Sequence, residues 1–197
     1  MRADQVLIEH HNVLRALCKD ITGRPAGSAE REERVDDLLV ELDIHMRVED
    51  DLFYPAVAAA GPLVAVAHAE HRQVSDRLAG FLRTTPTDPA YEGQWQAFVT
   101  TLDAHAEEEE RDLFPPPVEM TADELDGLGT GCSRRWTRYG RPGPSSFASR
   151  PEGLCCARCE LRQQVWEWCT CSLASWASSS LTCSGSCRMS TRPCWTT

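Results

Sequence analysis

The first 129 residues of this 197-residue chain hold a single cysteine, Cys18, which removes a disulfide framework as a source of their stability. One thiol on a helix is a small apolar residue, and a reduced, cytoplasmic setting suits it. Positive charge is scarce as well, with 11 Lys+Arg against 27 Asp+Glu before residue 130. Phosphate binding needs a basic patch, so nucleic acid is not an expected partner. Long apolar runs are missing too. Nothing approaches the roughly 18 residues of a spanning helix, and the opening MRADQVLIEHHNV has no apolar signal region. Neither membrane insertion nor export is expected.

Beyond residue 130 the composition inverts, with nine of the ten cysteines, five of the six tryptophans and 9 Lys+Arg against 3 Asp+Glu. The C-x-x-C at Cys156 and Cys159 has no properly spaced partner for zinc, and an odd cysteine count does not make a closed disulfide framework. Aliphatic periodicity is lost. The sequence therefore divides into a folded unit over 1–129 and a tail, 130–197, expected to be frame-shifted or non-native sequence without a fold and assigned no function.

Within the first unit four segments carry apolar residues at helical spacing, separated by short breaker-rich links. The first runs from about Asp4, read as its N-cap, to about Ile21, with Val6, Val13, Leu14 and Leu17 as its stripe. The second starts near Ser28 and carries Val35, Leu38, Leu39, Leu42 and Leu52 up to Pro55. The third follows Gly61-Pro62 with Val64, Val74, Leu78 and Leu82, and the fourth, Tyr91 to Asp112, carries Trp95, Phe98, Val99 and Leu102. Short links favour antiparallel neighbours, so the expected fold is all-α, an up-down-up-down antiparallel four-helix bundle. A short fifth helix, Thr121 to Leu128, is predicted with Thr121 and Glu124 as a capping box.

The chain repeats itself. HMRVEDDLFYP (His45 to Pro55) and HAEEEERDLFP (His105 to Pro115) share a His, a Glu four residues later and a final proline. Helices one and three share E-H-x-x-V-x-x-x-L at Glu9–Leu17 and Glu70–Leu78, which pairs His10 with His71. On a helix, residues four apart sit one above the other, so His45 with Glu49, and His105 with Glu109, can reach one ion. Both pairs fall on apolar stripes, and His10 and His71 fall on theirs. His11, about 100° from His10, is expected at the surface or boundary, and His68 stays near the His71 stripe. Glu107, Glu108 and Glu110 are expected in solvent, and Phe53, Tyr54 and Phe114 at the packed end of the bundle. A buried carboxylate needs compensation, which a cation supplies. Six N and O ligands exceed one tetrahedral zinc site but suit two first-row metals; ligand type alone leaves iron, manganese and zinc open.

The arrangement H … H-x-x-x-E … H … H-x-x-x-E over roughly residues 3–129 resembles the hemerythrin-like, or HHE cation-binding, family. The resemblance implies a non-haem di-iron site whose metal ligands are His10, His45, Glu49, His71, His105 and Glu109, with the two glutamates bridging. It implies a partner among small oxygen species: dioxygen, peroxide or nitric oxide. A catalase-like or peroxidase di-iron enzyme and an iron-storage or sensing module are the alternatives. Oxygen-carrying members have H-x-x-x-H on helix three and H-x-x-x-x-D on helix four; this chain has His68 with His71, and His105 with Glu109. Asp50 and Glu110, each one residue past a carboxylate, are in register to substitute.

Overall fold

In the computed structural model the described residues are 1–58, 61–115 and 120–138, and among them every regular element is helical. The long helices are α1 (Ala3–Thr22), α2 (Ala29–Val48), α4 (Pro62–Arg83), α5 (Tyr91–Glu108) and α6 (Ala122–Arg138), and α3 (Tyr54–Ala56) is a single turn. Local chemistry sets the ends. Ser28 caps α2 by accepting from Arg31 N at 3.2 Å. Gly61, at a φ of 42°, makes the left-handed bend before Pro62 opens α4. Asp4 is not the cap of α1, because its carboxylate grips the Arg2 guanidinium at 3.0 Å while Arg2 N donates to Gln5 Oε1 at 3.2 Å. Thr121 and Glu124 do form the expected box, with Thr121 N donating to Glu124 at 2.8 Å and Glu124 N to Thr121 Oγ1 at 3.3 Å.

The helices pack as a bundle, α1 against α2, α4 against α5, and α6 across α1 and α2. Leu14, Ile21, Leu38, Leu42, Val74, Leu78, Trp95, Phe98 and Leu102 form one apolar cluster. A second, under α6, gathers Ala3, Val6, Leu7, Val48, Phe53, Cys132 and Trp136. Buried Arg31 pins the far end of the first cluster: its guanidinium holds Glu92 at 2.6 and 2.9 Å and donates to the Arg24 carbonyl at 3.1 Å. Because Arg31 also lies 5.2 Å from the Tyr91 ring centroid, its charge is well compensated.

Two departures from the expected architecture bear on the site. First, α2 and α5 do not end at their carboxylates but widen there into π-helical turns, Glu49–Phe53 and Glu109–Leu113, each beginning on a glutamate of the repeat. The wider turn closes on Phe114 N→Glu109 O at 2.8 Å and on the matching Tyr54 N→Glu49 O bond. Such turns re-aim neighbouring side chains and recur at functional sites. Second, the fifth helix does not stop at Leu128. It continues through Gly129 to Arg138, burying Cys132 and Trp136, and Trp136 Nε1 donates to Glu41 at 3.1 Å. Gly129 permits this, since a Cβ there would fall 2.8 Å from Ala3 N and nearer still to the Met1 carbonyl. Residues 139–197, the greater part of the tail set apart on composition, lie outside the described residues.

Candidate metal centre

Leu7, His11, Leu14, Cys18 and Ile21 of α1 are all buried and spaced as a heptad stripe, of which Leu14, Cys18 and Ile21 pack with α2, α4 and α5. This puts His11, expected at the surface, at the bundle centre with 1% of its surface exposed. His10 is buried as well, but on another face: its ring meets the Trp136 indole edge-on at 80°, beneath α6. The reason for the difference is α6. With a helix packed on each of two faces, α1 has two apolar stripes, and Val6, His10 and Val13 belong to the one under α6.

Five of the six expected residues, His45, Glu49, His71, His105 and Glu109, come together with His11 at the centre. Glu49 Oε2 lies 3.2 Å from His45 Nε2 and 3.1 Å from His71 Nε2, while Glu109 Oε2 lies 3.5 Å from both His11 Nε2 and His105 Nε2. Two sets of potential ligand atoms are close enough for one ion each: His11, His45, His105 and Glu109, and Glu49, His71, His105 and Glu109. His10 is in neither. A third set, Asp50, His68 and His71, is nearer the surface, with His68 44% exposed.

Around these imidazoles lies an outer ring of carboxylates. Nδ1 of His11 faces Glu110 at 2.9 Å, Nδ1 of His71 faces Asp50 at 3.1 Å, and Nδ1 of His105 faces Glu70 at 3.3 Å. A carboxylate on Nδ1 fixes the tautomer with its proton outward, so Nε2 presents a lone pair to the centre and is made more basic. Glu110, expected in solvent, is thus tied to His11 and to Arg15 at 2.8 Å. Tyr54, expected as packing, also enters the site. Its hydroxyl donates to Glu109 Oε1 at 2.5 Å and sits 2.9 Å from His71 Nε2.

The remaining polar atoms test whether a cation fits. Nε2 of His11, His45 and His105, with Glu49 Oε1 and Glu109 Oε2, are buried and make no hydrogen bond. Each such group costs roughly 1–3 kcal/mol if nothing satisfies it. Lone pairs on three imidazoles and two carboxylates converge on one volume, which suits a cation. Titration behaviour agrees. Burial, then the imidazoles around it, hold His45 well below its ordinary range, so it is neutral and free to bind metal. Burial and the neighbouring Glu109 push Glu49 well up. Burial opposes ionisation of Glu109 too, but the imidazoles of His11, His105 and His71 around it outweigh it, holding that carboxyl at about 2. Of the pair, one acid keeps a proton where a cation would displace it.

The missed histidine left a sequence signal. At a constant offset of 60 residues His11 pairs with His71, His45 with His105, Glu49 with Glu109, Asp50 with Glu110 and Tyr54 with Phe114. The E-H alignment of helices one and three had used 61. The register of 60 also superposes contacts: His71–Asp50 matches His11–Glu110, and the Tyr54–His71 ring contact at 5.3 Å matches Phe114–His11 at 5.4 Å. It breaks at two places that matter. Glu70, on His105, corresponds to His10, and the Tyr54 hydroxyl has no counterpart on Phe114.

A family model described as hemerythrin HHE cation binding domain matches residues 2–116. The uncharacterized proteins Rv2633c of Mycobacterium tuberculosis and Mb2666c of Mycobacterium bovis are each 49% identical over 137 residues, spanning 68% of this chain and 85% of theirs. That share of a 197-residue chain cannot fit before residue 130, so the likeness runs into α6. A crystal structure of a hemerythrin HHE cation binding domain-containing protein from Mycobacterium kansasii, a homologue of Rv2633c, superposes with a TM-score of 0.68 at 51% identity, covering 71% of this chain and 87% of that one.

Proposed function

We propose, because the chain belongs to the hemerythrin HHE cation-binding family, that its buried cluster holds two iron ions and uses them to bind or react with a small oxygen species: dioxygen, peroxide or nitric oxide. His11, His45, Glu49, His71, His105 and Glu109 are the residues that would hold the metal, within an up-down-up-down four-helix arrangement, and His10 stays outside the set. The observation that carries the reading is the group of buried, unbonded lone pairs on His11, His45, Glu49, His105 and Glu109. Imidazole and carboxylate donors without thiolate suit iron, manganese and zinc alike, and iron is chosen on the family resemblance.

Iron in such a site supplies the redox chemistry and open coordination positions for an oxygen ligand. The protein supplies the rest. Asp50, Glu70 and Glu110 hold three imidazoles by Nδ1, and the flanking apolar clusters keep water away. Tyr54 brings an O–H to the His71 side; burial and then Glu49 and Glu109 raise its pKa, so the hydroxyl keeps its proton. A cytoplasmic setting belongs to this reading and agrees with the free, buried thiols of Cys18 and Cys132, which burial pushes up to about 12 and about 11. Among the described residues no helix is long and apolar enough to cross a membrane.

The test is to produce the full chain with ample iron, determine its metal content, and record absorption spectra under argon, oxygen and peroxide. The expected content is about two irons per chain, as for other carboxylate-bridged sites in helical bundles. Well-folded protein that holds under about half an iron, or a spectrum indifferent to all three gases and oxidants, would sink the proposal.

A further inference from the structure

Between the start of α4 and the π turn that ends α5 lies a depression that no other described residue covers. Its walls are aliphatic, with Leu63 and Val66 left 41% and 47% exposed. Three carboxylates, Glu70, Glu108 and Asp112, line it, and it reaches Glu109, which is 2% exposed and whose Oε2 accepts no hydrogen bond. Glu70 and Glu108 face one another within hydrogen-bonding reach across the two helices.

The internal repeat supplies a comparison inside the same molecule. Shifting by 60 residues turns Leu63, Val66, Glu70, Glu108, Glu109 and Asp112 into Ala3, Val6, His10, Val48, Glu49 and Leu52. Those residues form the matching groove of the first half, and there it is closed: α6 lies in it, with Cys132 and Trp136 packed on Ala3, Val6, Val48 and Leu52. The filled groove carries aliphatic side chains at the two positions where the open one carries Glu108 and Asp112. Those two carboxylates would lose their hydration uncompensated under an apolar helix, so the second groove is suited to water.

From this contrast we infer that the open acidic groove is the route by which a divalent cation reaches the buried ligands, with Glu70, Glu108 and Asp112 as a staging site above Glu109. This rests on the dinuclear reading given above. Hard oxygen donors of like charge draw a hydrated dication from solution, and the low-dielectric walls of Leu63 and Val66 focus their field into the groove. Glu109, which lines the groove and belongs to both buried ligand sets, then takes the ion from the staging carboxylates. Anions meet the opposite field and are turned away.

The test follows cobalt(II) loading of metal-free full-length protein by stopped-flow absorbance, with final metal content measured separately. Glu108→Gln/Asp112→Asn should slow loading about tenfold and flatten its dependence on salt, while the final cobalt content and spectrum match the wild type. The double variant Glu30→Gln/Glu32→Gln, which removes the same charge at the exposed start of α2, should load at the wild-type rate. Val66→Trp, which narrows the groove without changing charge, should also slow loading. Unchanged rates in both groove variants at full final content would overturn the route while leaving the metal centre intact. A wild type that takes up no cobalt would overturn both.

Discussion

Replacing His11 and His10 separately by alanine distinguishes two adjacent residues that composition treats alike and that helical spacing ranks in the opposite order. His11 Nε2 lies 3.5 Å from Glu109 Oε2 and 3.9 Å from Glu49 Oε1, and its Nδ1 is held by Glu110 at 2.9 Å. A divalent ion in a closed protein site of four ligands gains about 10–16 kcal/mol, so an even share per ligand is about 3 kcal/mol, or roughly two orders of magnitude in affinity. Losing the ring from the metal-free protein costs much less. Its Nε2 is already unsatisfied, Glu110 keeps Arg15 at 2.8 Å, and what disappears is packing on Phe114 at 5.4 Å. That amounts to about 1–2 kcal/mol. His11→Ala should therefore fold, and lose at least one iron to a chelator that leaves the wild type loaded. His10→Ala should keep its metal but loosen α6, red-shifting the Trp136 emission. The assay is competition dialysis followed by metal analysis on both variants. Full iron retention in His11→Ala, together with loss in His10→Ala, would refute the assignment.

Linkage makes the acidity of the centre measurable. Glu49 is raised above its unfolded value, so its contribution to the metal-free fold is complete below about pH 4.5 and is lost by about 1.4 kcal/mol per unit as pH climbs toward its folded value. His45 is lowered, so its contribution is complete above about pH 6.5 and is lost on acidification. Between those limits the two slopes oppose; as pH climbs further the metal-free protein weakens for as long as Glu49 holds its proton, and bound metal should abolish that decline. Urea midpoints of chelated and loaded protein at about pH 5.5 and about pH 8.5 check this, and parallel curves would contradict it. Asp50→Asn keeps an acceptor for His71 Nδ1 but removes the charge, so it should weaken metal binding about 10-fold and raise the midpoint potential, while His71 stays in place by NMR. Gly129→Ala forces the α6 backbone off Met1 and Ala3; a loss of about 1–3 kcal/mol is expected by chemical denaturation, against almost none for Gly131→Ala, where a Cβ meets nothing.

Much of the centre was legible because duplication fixes spacing twice. His45 with Glu49 and His105 with Glu109 are separated by one helical turn in each half, and that geometry survives any detail of packing. The error at helix one came from weighing Val6, Val13 and Leu17 above Leu7, Leu14, Cys18 and Ile21. Both stripes are genuine, since Val6 and Val13 pack in the cluster under α6, while Leu14, Cys18 and Ile21 pack with α2, α4 and α5. A sequence cannot rank two buried stripes on one helix without knowing how many neighbours the helix has. Here the deciding neighbour includes Cys132 and Trp136, in the stretch whose composition had argued against any fold. The widened turns at Glu49 and Glu109 had no propensity signal either. They move Tyr54 and Glu110 from the packed end and the solvent face onto the ligands.

On the two-ion reading proposed above, the two places where the halves differ both act on the balance between the metal positions. On the side of His71 and His105, whose rings lie 4.8 Å apart, each imidazole has a carboxylate on Nδ1, and the Tyr54 hydroxyl stands between His71 and Glu109. On the side of His11 and His45, also 4.8 Å apart, only His11 has such a carboxylate; His45 Nδ1 is buried without a hydrogen bond, and Phe114 replaces the tyrosine. A carboxylate on Nδ1 raises the basicity of Nε2, so the first side is the stronger donor to a dication. It is also the side on which the open groove arrives, since Glu70 serves both His105 and the groove. A cation from solution therefore meets the more basic pair of imidazoles before the less basic one. An ion in the first position would displace the proton that Glu49 keeps, leaving both carboxylates ionised for a second. On this logic the asymmetry between Glu70 and His10 sets the order of loading, and His10→Glu, by restoring the symmetry, should draw the two binding steps together in a cobalt titration.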